Sequence, residues 1–69
     1  LDKLTEKEME VIRLLAQGMS NREMAKELFV TESTIKQRFV KVMEKMGVRD
    51  RIQILVKAIQ HGLVTVGRG

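Results

Sequence analysis

The chain has no cysteine, proline, tryptophan or tyrosine, and its only aromatic residues are Phe29 and Phe39. Without cysteine, disulfide staples and thiolate–metal clusters are excluded. With so few aromatics there is no platform on which single-stranded bases could stack. No apolar run approaches the roughly 18 residues of a membrane span. No basic-then-apolar secretion signal opens the sequence. There is one histidine, His61, and no glycine-rich phosphate loop, and a chain this short has no room for an enclosed pocket. We therefore expect no enzyme, no metal site, no cofactor and no membrane partner. A soluble cytoplasmic domain is the default. The first residue is Leu1 rather than methionine, which we read as excision from a longer protein.

What is present fits one small domain. Sixty-nine residues lie near the lower limit for unaided folding. Hydrophobic residues make up 43%, enough for one core, and charged residues 32%, enough for a wet surface. The net charge of +4 is unevenly placed. Residues 1–34 carry five Lys/Arg against seven Asp/Glu, a balance of −2; residues 35–69 carry eight against two, a balance of +6. The second half is a candidate surface for a polyanion.

The chain punctuates itself as helices. Thr5 and Glu8 form a capping box, with Leu4 and Met9 as its hydrophobic staple. A helix over about 6–17 follows, stopped by Gly18. Ser20 and Glu23 repeat the box, stapled by Met19 and Met24, and predict a helix over about 21–28. Thr31 starts a third, about 32–46, which stops at Gly47. Asp50, with Gln53 as box partner, starts a fourth, about 51–61, near Gly62. No alternating apolar pattern supports a strand. The fold class is all-α, a four-helix bundle. We assign residues 1–63 to the domain and 64–69 to a loose tail.

Only Phe29, Val30 and Thr31 join helices two and three, the link length of a helix-turn-helix. A glycine is common in such a turn, and Phe29 stands there instead. Helix three divides cleanly at about 100° per residue. Ile35, Phe39, Val42, Met43 and Met46 share the core arc. Ser33, Gln37, Val40, Lys41 and Glu44 share the opposite arc, with Lys36 on one flank and Arg38 and Lys45 on the other. Gln37 could pair with adenine, Lys36 with guanine, and Val40 could meet a thymine methyl. Arg38, Lys41 and Lys45 suit phosphates, as does the helix start around Thr31, Ser33 and Thr34. Asn21, at the start of helix two, could donate to a phosphate or be there only because helix starts favour it. Glu44 would repel phosphate unless it lies past the groove or pairs with Lys41.

The residues from Leu4-Thr5-Glu6-Lys7-Glu8 to Gly18, then Ser20-Asn21-Arg22-Glu23-Met24-Ala25-Lys26-Glu27-Leu28, Ser33-Thr34-Ile35-Lys36, Lys45-Met46-Gly47-Val48 and Asp50-Arg51 resemble the LuxR-type (FixJ- or GerE-type) helix-turn-helix domain. The likeness covers about residues 3–62. It implies a sequence-specific duplex-DNA-binding output domain of a bacterial transcription regulator. An N-terminal receiver or ligand sensor is implied upstream. The resemblance makes Lys36 a DNA-contacting lysine and puts Gln37 and Val40 at variable base-reading positions. A large apolar residue at position 29 fits the family. The family commonly has histidine where Arg38 stands, and Lys, Arg or Ser where Val40 stands; these departures bear on the target sequence rather than on DNA binding. Its fourth helix commonly forms the dimer contact.

Helix four offers two apolar faces. We read Ile52, Leu55, Val56, Ile59 and Leu63 as the inward stripe. Ile54, Ala58 and His61 then form an outward homodimer patch, which would set two half-sites on the DNA. Arg51 could pair with Glu8 or Glu10 of helix one. Two alternatives remain: a sigma-factor-like module that holds RNA polymerase, and a non-DNA interaction bundle built on the methionines.

Overall fold

The computed structural model describes residues 3–64. Four helices follow one another: α1 (Glu6–Ala16), α2 (Asn21–Leu28), α3 (Glu32–Met46) and α4 (Arg51–Gln60). The bounds of α2 and α3 are those read from the sequence. α1 and α4 each end one residue sooner.

Each start is capped by the residue expected. The Thr5 hydroxyl accepts from the Glu8 N–H (3.2 Å), and the Thr5 N–H donates to the Glu8 carboxylate (2.9 Å). Ser20 and Glu23 repeat this pair. Thr31 accepts from the Thr34 N–H, and Asp50 from the Gln53 N–H. One detail differs from the expected box. The Gln53 side chain takes the N–H of Arg49 (2.7 Å), one residue before the cap.

All four helices also end alike. The N–H of Met19, Val30, Val48 and Leu63 each reaches five residues back, to the carbonyls of Leu14, Ala25, Met43 and Ala58. This closure needs a left-handed residue just before the donor. Gly18, Gly47 and Gly62 supply it for α1, α3 and α4. Phe29 supplies it for α2 at φ 59°, the one non-glycine among the described residues with positive φ.

The core gathers Val11 and Ile12 of α1, Met24 and Ala25 of α2, Ile35, Phe39, Val42 and Met46 of α3, and Ile54 and Ala58 of α4. α3 packs against the other three helices, and α1 also meets α4. Val64, assigned to the tail from sequence, is buried in this core. Residues 65–69 of that tail lie outside the described residues.

The face assignment of α4 is reversed by the structure. Ile54 and Ala58, expected at a dimer surface, are fully buried, while Ile52, Val56 and Ile59 are exposed at 74%, 47% and 40%. Leu55 and Leu63 are half-buried. Two side-chain ties fix this rotation. The Arg51 guanidinium lies over the Phe39 ring, and the Lys57 ammonium donates to the Met46 carbonyl (2.9 Å) at the end of α3. At about 100° per residue, Ile54 and Ala58 fall between those two anchors and so face α3.

Candidate nucleic-acid interface

The short α2–α3 connection presents α3 as the second helix of a helix-turn-helix. Its core face is buried at Ile35, Phe39, Val42 and Met46. That burial holds the opposite face outward, where Ser33, Lys36, Gln37, Val40 and Lys41 are all exposed. Val40 is half open to solvent at 50%. Arg38 is half-buried on the flank. The face thus combines two cations, a bidentate amide and one β-branched apolar group within two turns. Those are the chemistries that read base edges in a major groove.

At the helix start the Thr31 and Thr34 hydroxyls lie 3.0 Å apart, with one donating to the other. Thr31 also caps the Thr34 N–H at 3.1 Å. That leaves the first amides of α3 uncapped by side chains, a favourable position for a phosphate oxygen. Glu44 is exposed. Among the described residues it pairs neither with Lys41 nor with any other cation; the ion pairs there are Arg13–Glu6 and Lys45–Glu8.

Lys45 departs from the expected phosphate role. Its ammonium donates to Glu8 Oε1 and to the Lys3 carbonyl, both at 2.8 Å. The partner is the capping carboxylate of α1, which is only 7% exposed. Burial acts to raise the pKa of Glu8. The hydrogen bonds from Lys45 and from the Thr5 N–H, with the lysine charge beside it, outweigh burial and hold the carboxyl below its ordinary range. Lys45 therefore serves to tie the end of α3 to the start of α1. Sequence spacing hid this pairing, because its partners are 37 residues apart.

Arg51 also finds partners other than those expected. It meets neither Glu8 nor Glu10. It donates to the Asn21 carboxamide oxygen and stacks on Phe39. Asn21 itself is half-buried at the first position of α2. His61 is exposed at the end of α4. Ile54 and Ala58 are in the core and contribute nothing to the surface.

Known proteins resemble this chain in sequence and in fold. Residues 2–58 match the family model for bacterial regulatory proteins, luxR family. The chain belongs to that family. It is similar to the transcriptional regulatory protein LnrK of Bacillus subtilis (strain 168), with 38% identity over 60 residues, covering 87% of this chain and 27% of the relative. It is 41% identical over 61 residues to the response regulator protein VraR of Staphylococcus aureus (strain NCTC 8325 / PS 47), covering 88% of this chain and 29% of that one. The solved structure of the transcription factor GerE superposes with a TM-score of 0.86 at 25% identity, covering 93% of this chain and 96% of the other. The chain thus spans under a third of the length of these two curated relatives.

Membership makes the chain a LuxR-type helix-turn-helix domain for DNA binding in transcription regulation, and not an enzyme. The described residues contain no group of three or more His, Cys, Asp or Glu side chains placed to hold a metal ion. No helix among them is long and apolar enough to cross a membrane.

Proposed function

We propose that this luxR-family domain binds duplex DNA sequence-specifically as the output domain of a bacterial response regulator, with α3 in the major groove. The observation that carries the reading is the outer face of α3. Lys36, Gln37, Val40 and Lys41 are exposed together while the reverse face is fixed in the core. In this reading Lys36, Gln37 and Val40 meet base edges. Lys41, Arg38, Ser33, the Thr31–Thr34 start of α3 and Asn21 meet phosphates. An N-terminal receiver upstream is supported by the response-regulator name of the similar VraR protein.

The domain acts as a homodimer on two half-sites about one DNA turn apart. The surface that favours this is the exposed stripe Ile52, Val56 and Ile59 on α4. Beside it runs an open groove of about 330 Å³, lined by Gly47, Val48, Gln53, Val56, Lys57 and Gln60. Three large apolar side chains on one helix face are more than scattered surface residues require. A patch confined to one short helix gives a weak contact that DNA must reinforce.

The test is selection of bound duplexes from a random-sequence pool. Two related half-sites at one-turn spacing are expected. A single enriched half-site would refute the dimer, and no enrichment by folded protein would refute the sequence-specific reading.

A further inference from the structure

Arg51 sits where an isolated helix would not favour it. It is the first residue of α4, and apart from the Asp50 cap before it the first turn holds no acid. The N-terminal end of a helix carries partial positive charge and disfavours a cation. The guanidinium is nevertheless well held. It lies 4.2 Å from the centroid of the Phe39 ring, a cation–π contact to a residue in the core of α3. Its Nη2 donates to Oδ1 of Asn21, the first residue of α2. One side chain of α4 thus joins the buried side of α3 to the beginning of α2.

The bond to Asn21 fixes more than distance. A guanidinium offers only donors, so the carboxamide atom facing it is the carbonyl oxygen. Nδ2 and its two N–H groups are then turned away from Arg51. No hydrogen bond within the described residues engages them, and no buried side-chain polar atom among those residues lacks a partner. Those donors therefore open toward solvent at the start of α2. In a helix-turn-helix the first helix crosses the DNA backbone, so an amide presenting N–H groups there meets acceptors only. Turned the other way, the same amide would present its oxygen to phosphate and be repelled.

We infer that Arg51 is a positioning residue for DNA binding: it holds the Asn21 carboxamide with its N–H groups toward a backbone phosphate and does not itself neutralise one. The inference rests on the DNA-binding reading above and adds a residue from the fourth helix to it. Because Phe39 supports the same guanidinium, the orientation of Asn21 is keyed to the seating of the recognition helix.

The experiment measures affinity of the chain for a random-sequence duplex across a range of salt, which reads phosphate contacts without any knowledge of the operator. Melting temperature is recorded for every variant. Asn21→Ala and Arg51→Ala are each expected to weaken binding roughly 3- to 10-fold, the effect of one lost hydrogen bond. The double variant is expected to be no weaker than the worse single variant within about twofold, because both remove the same contact. The salt slope of Arg51→Ala is expected to match wild type. A direct phosphate contact by Arg51 would instead reduce it by roughly one, and that result would overturn the inference. Additive losses would overturn it too.

Asn21→Asp separates positioning from a merely structural tie. It keeps an acceptor for Arg51 and suits a helix start, so the melting temperature is expected to hold or rise. It removes the donors and sets an anion against the phosphate, so binding is expected to fall by more than about tenfold. Wild-type affinity in a folded Asn21→Asp protein would sink the assignment even if Arg51→Ala failed to fold. Failure of the wild-type chain to bind the duplex at low salt would instead refute the DNA-binding reading itself, a separate outcome.

Discussion

The Arg51 guanidinium lies over the Phe39 ring, 4.2 Å from its centroid, and this contact helps set which face of α4 looks inward. With Lys57 tied to the Met46 carbonyl, it turns Ile54 and Ala58 into the core and leaves Ile52, Val56 and Ile59 outside. Glutamate substitutions on the two faces should therefore behave oppositely. Ile54→Glu puts an unpaired carboxylate at a fully buried position and is expected to cost about 3 kcal/mol or more, enough to unfold much of a domain this small. Ile52→Glu is expected to leave the melting temperature within about 3 °C of wild type while weakening dimer formation on DNA. Thermal unfolding and a gel-shift stoichiometry check both. A fully cooperative dimeric complex from Ile52→Glu would remove this stripe from the interface.

The outer face of α3 yields the second prediction. Lys36→Ala and Gln37→Ala should each weaken binding to the selected operator by about 1–3 kcal/mol. Neither side chain is buried, so thermal stability should change by less than about 0.5 kcal/mol. The two variants should differ in salt response. Loss of Lys36 should lower the salt slope if it also approaches phosphate, whereas loss of neutral Gln37 should relax base preference at one position and leave the slope alone. Operator affinity unchanged in both variants would move the reading surface off this face.

Helix starts, helix stops and the two faces of α3 were legible in the sequence because each depends on residues within one or two turns. A cap and its partner are three residues apart, and a core stripe repeats every three or four. The rotation of α4 was not legible, because Ile52, Leu55, Val56 and Ile59 make a longer apolar stripe than Ile54 and Ala58. Stripe length was the wrong guide. The decisive contacts were Arg51 to Phe39 and Lys57 to Met46, which bring separate helices together. Lys45 misled for the same reason, since its carboxylate partner Glu8 lies on α1. The local hint in the sequence is Arg51 itself, a cation at a helix start with no acid in its first turn, but its partners Phe39 and Asn21 lie on other helices.

Phe29 carries the third prediction. Its backbone is left-handed at φ 59°, and its side chain is 93% exposed. A left-handed residue with a Cβ costs roughly 1–2 kcal/mol. So exposed a ring recovers little of that by burial in the isolated domain. Glycine at this position removes the strain but adds about 0.5–1 kcal/mol of unfolded-state entropy. Phe29→Gly should therefore stabilise the domain by up to about 1 kcal/mol, and raise the melting temperature by no more than about 4–8 °C. A fall in melting temperature would mean that the ring contributes packing beyond its exposure.

The Glu8–Lys45 pair gives the domain an acid-sensitive joint. The folded Glu8 carboxyl is held below its ordinary range, so its ionised form is favoured by folding. The stability it contributes is fully present above the unfolded value of about 4.3 and is lost as pH falls through the lower folded value. Protonation would remove the charge that holds Lys45 and weaken the acceptor of the Thr5 N–H, loosening the start of α1 and the end of α3 together. Glu8→Gln should lower stability at pH 7 by about 1–3 kcal/mol, since the amide oxygen can still accept from Lys45 and from the Thr5 N–H but no longer carries the charge that pairs with the ammonium. It should also flatten the dependence of stability on pH below about 5. Denaturant unfolding from pH 7 to pH 3 checks both effects. A variant whose acid limb runs parallel to wild type would show that other carboxylates govern the loss, and that Glu8 is held by its neighbours without its charge being needed.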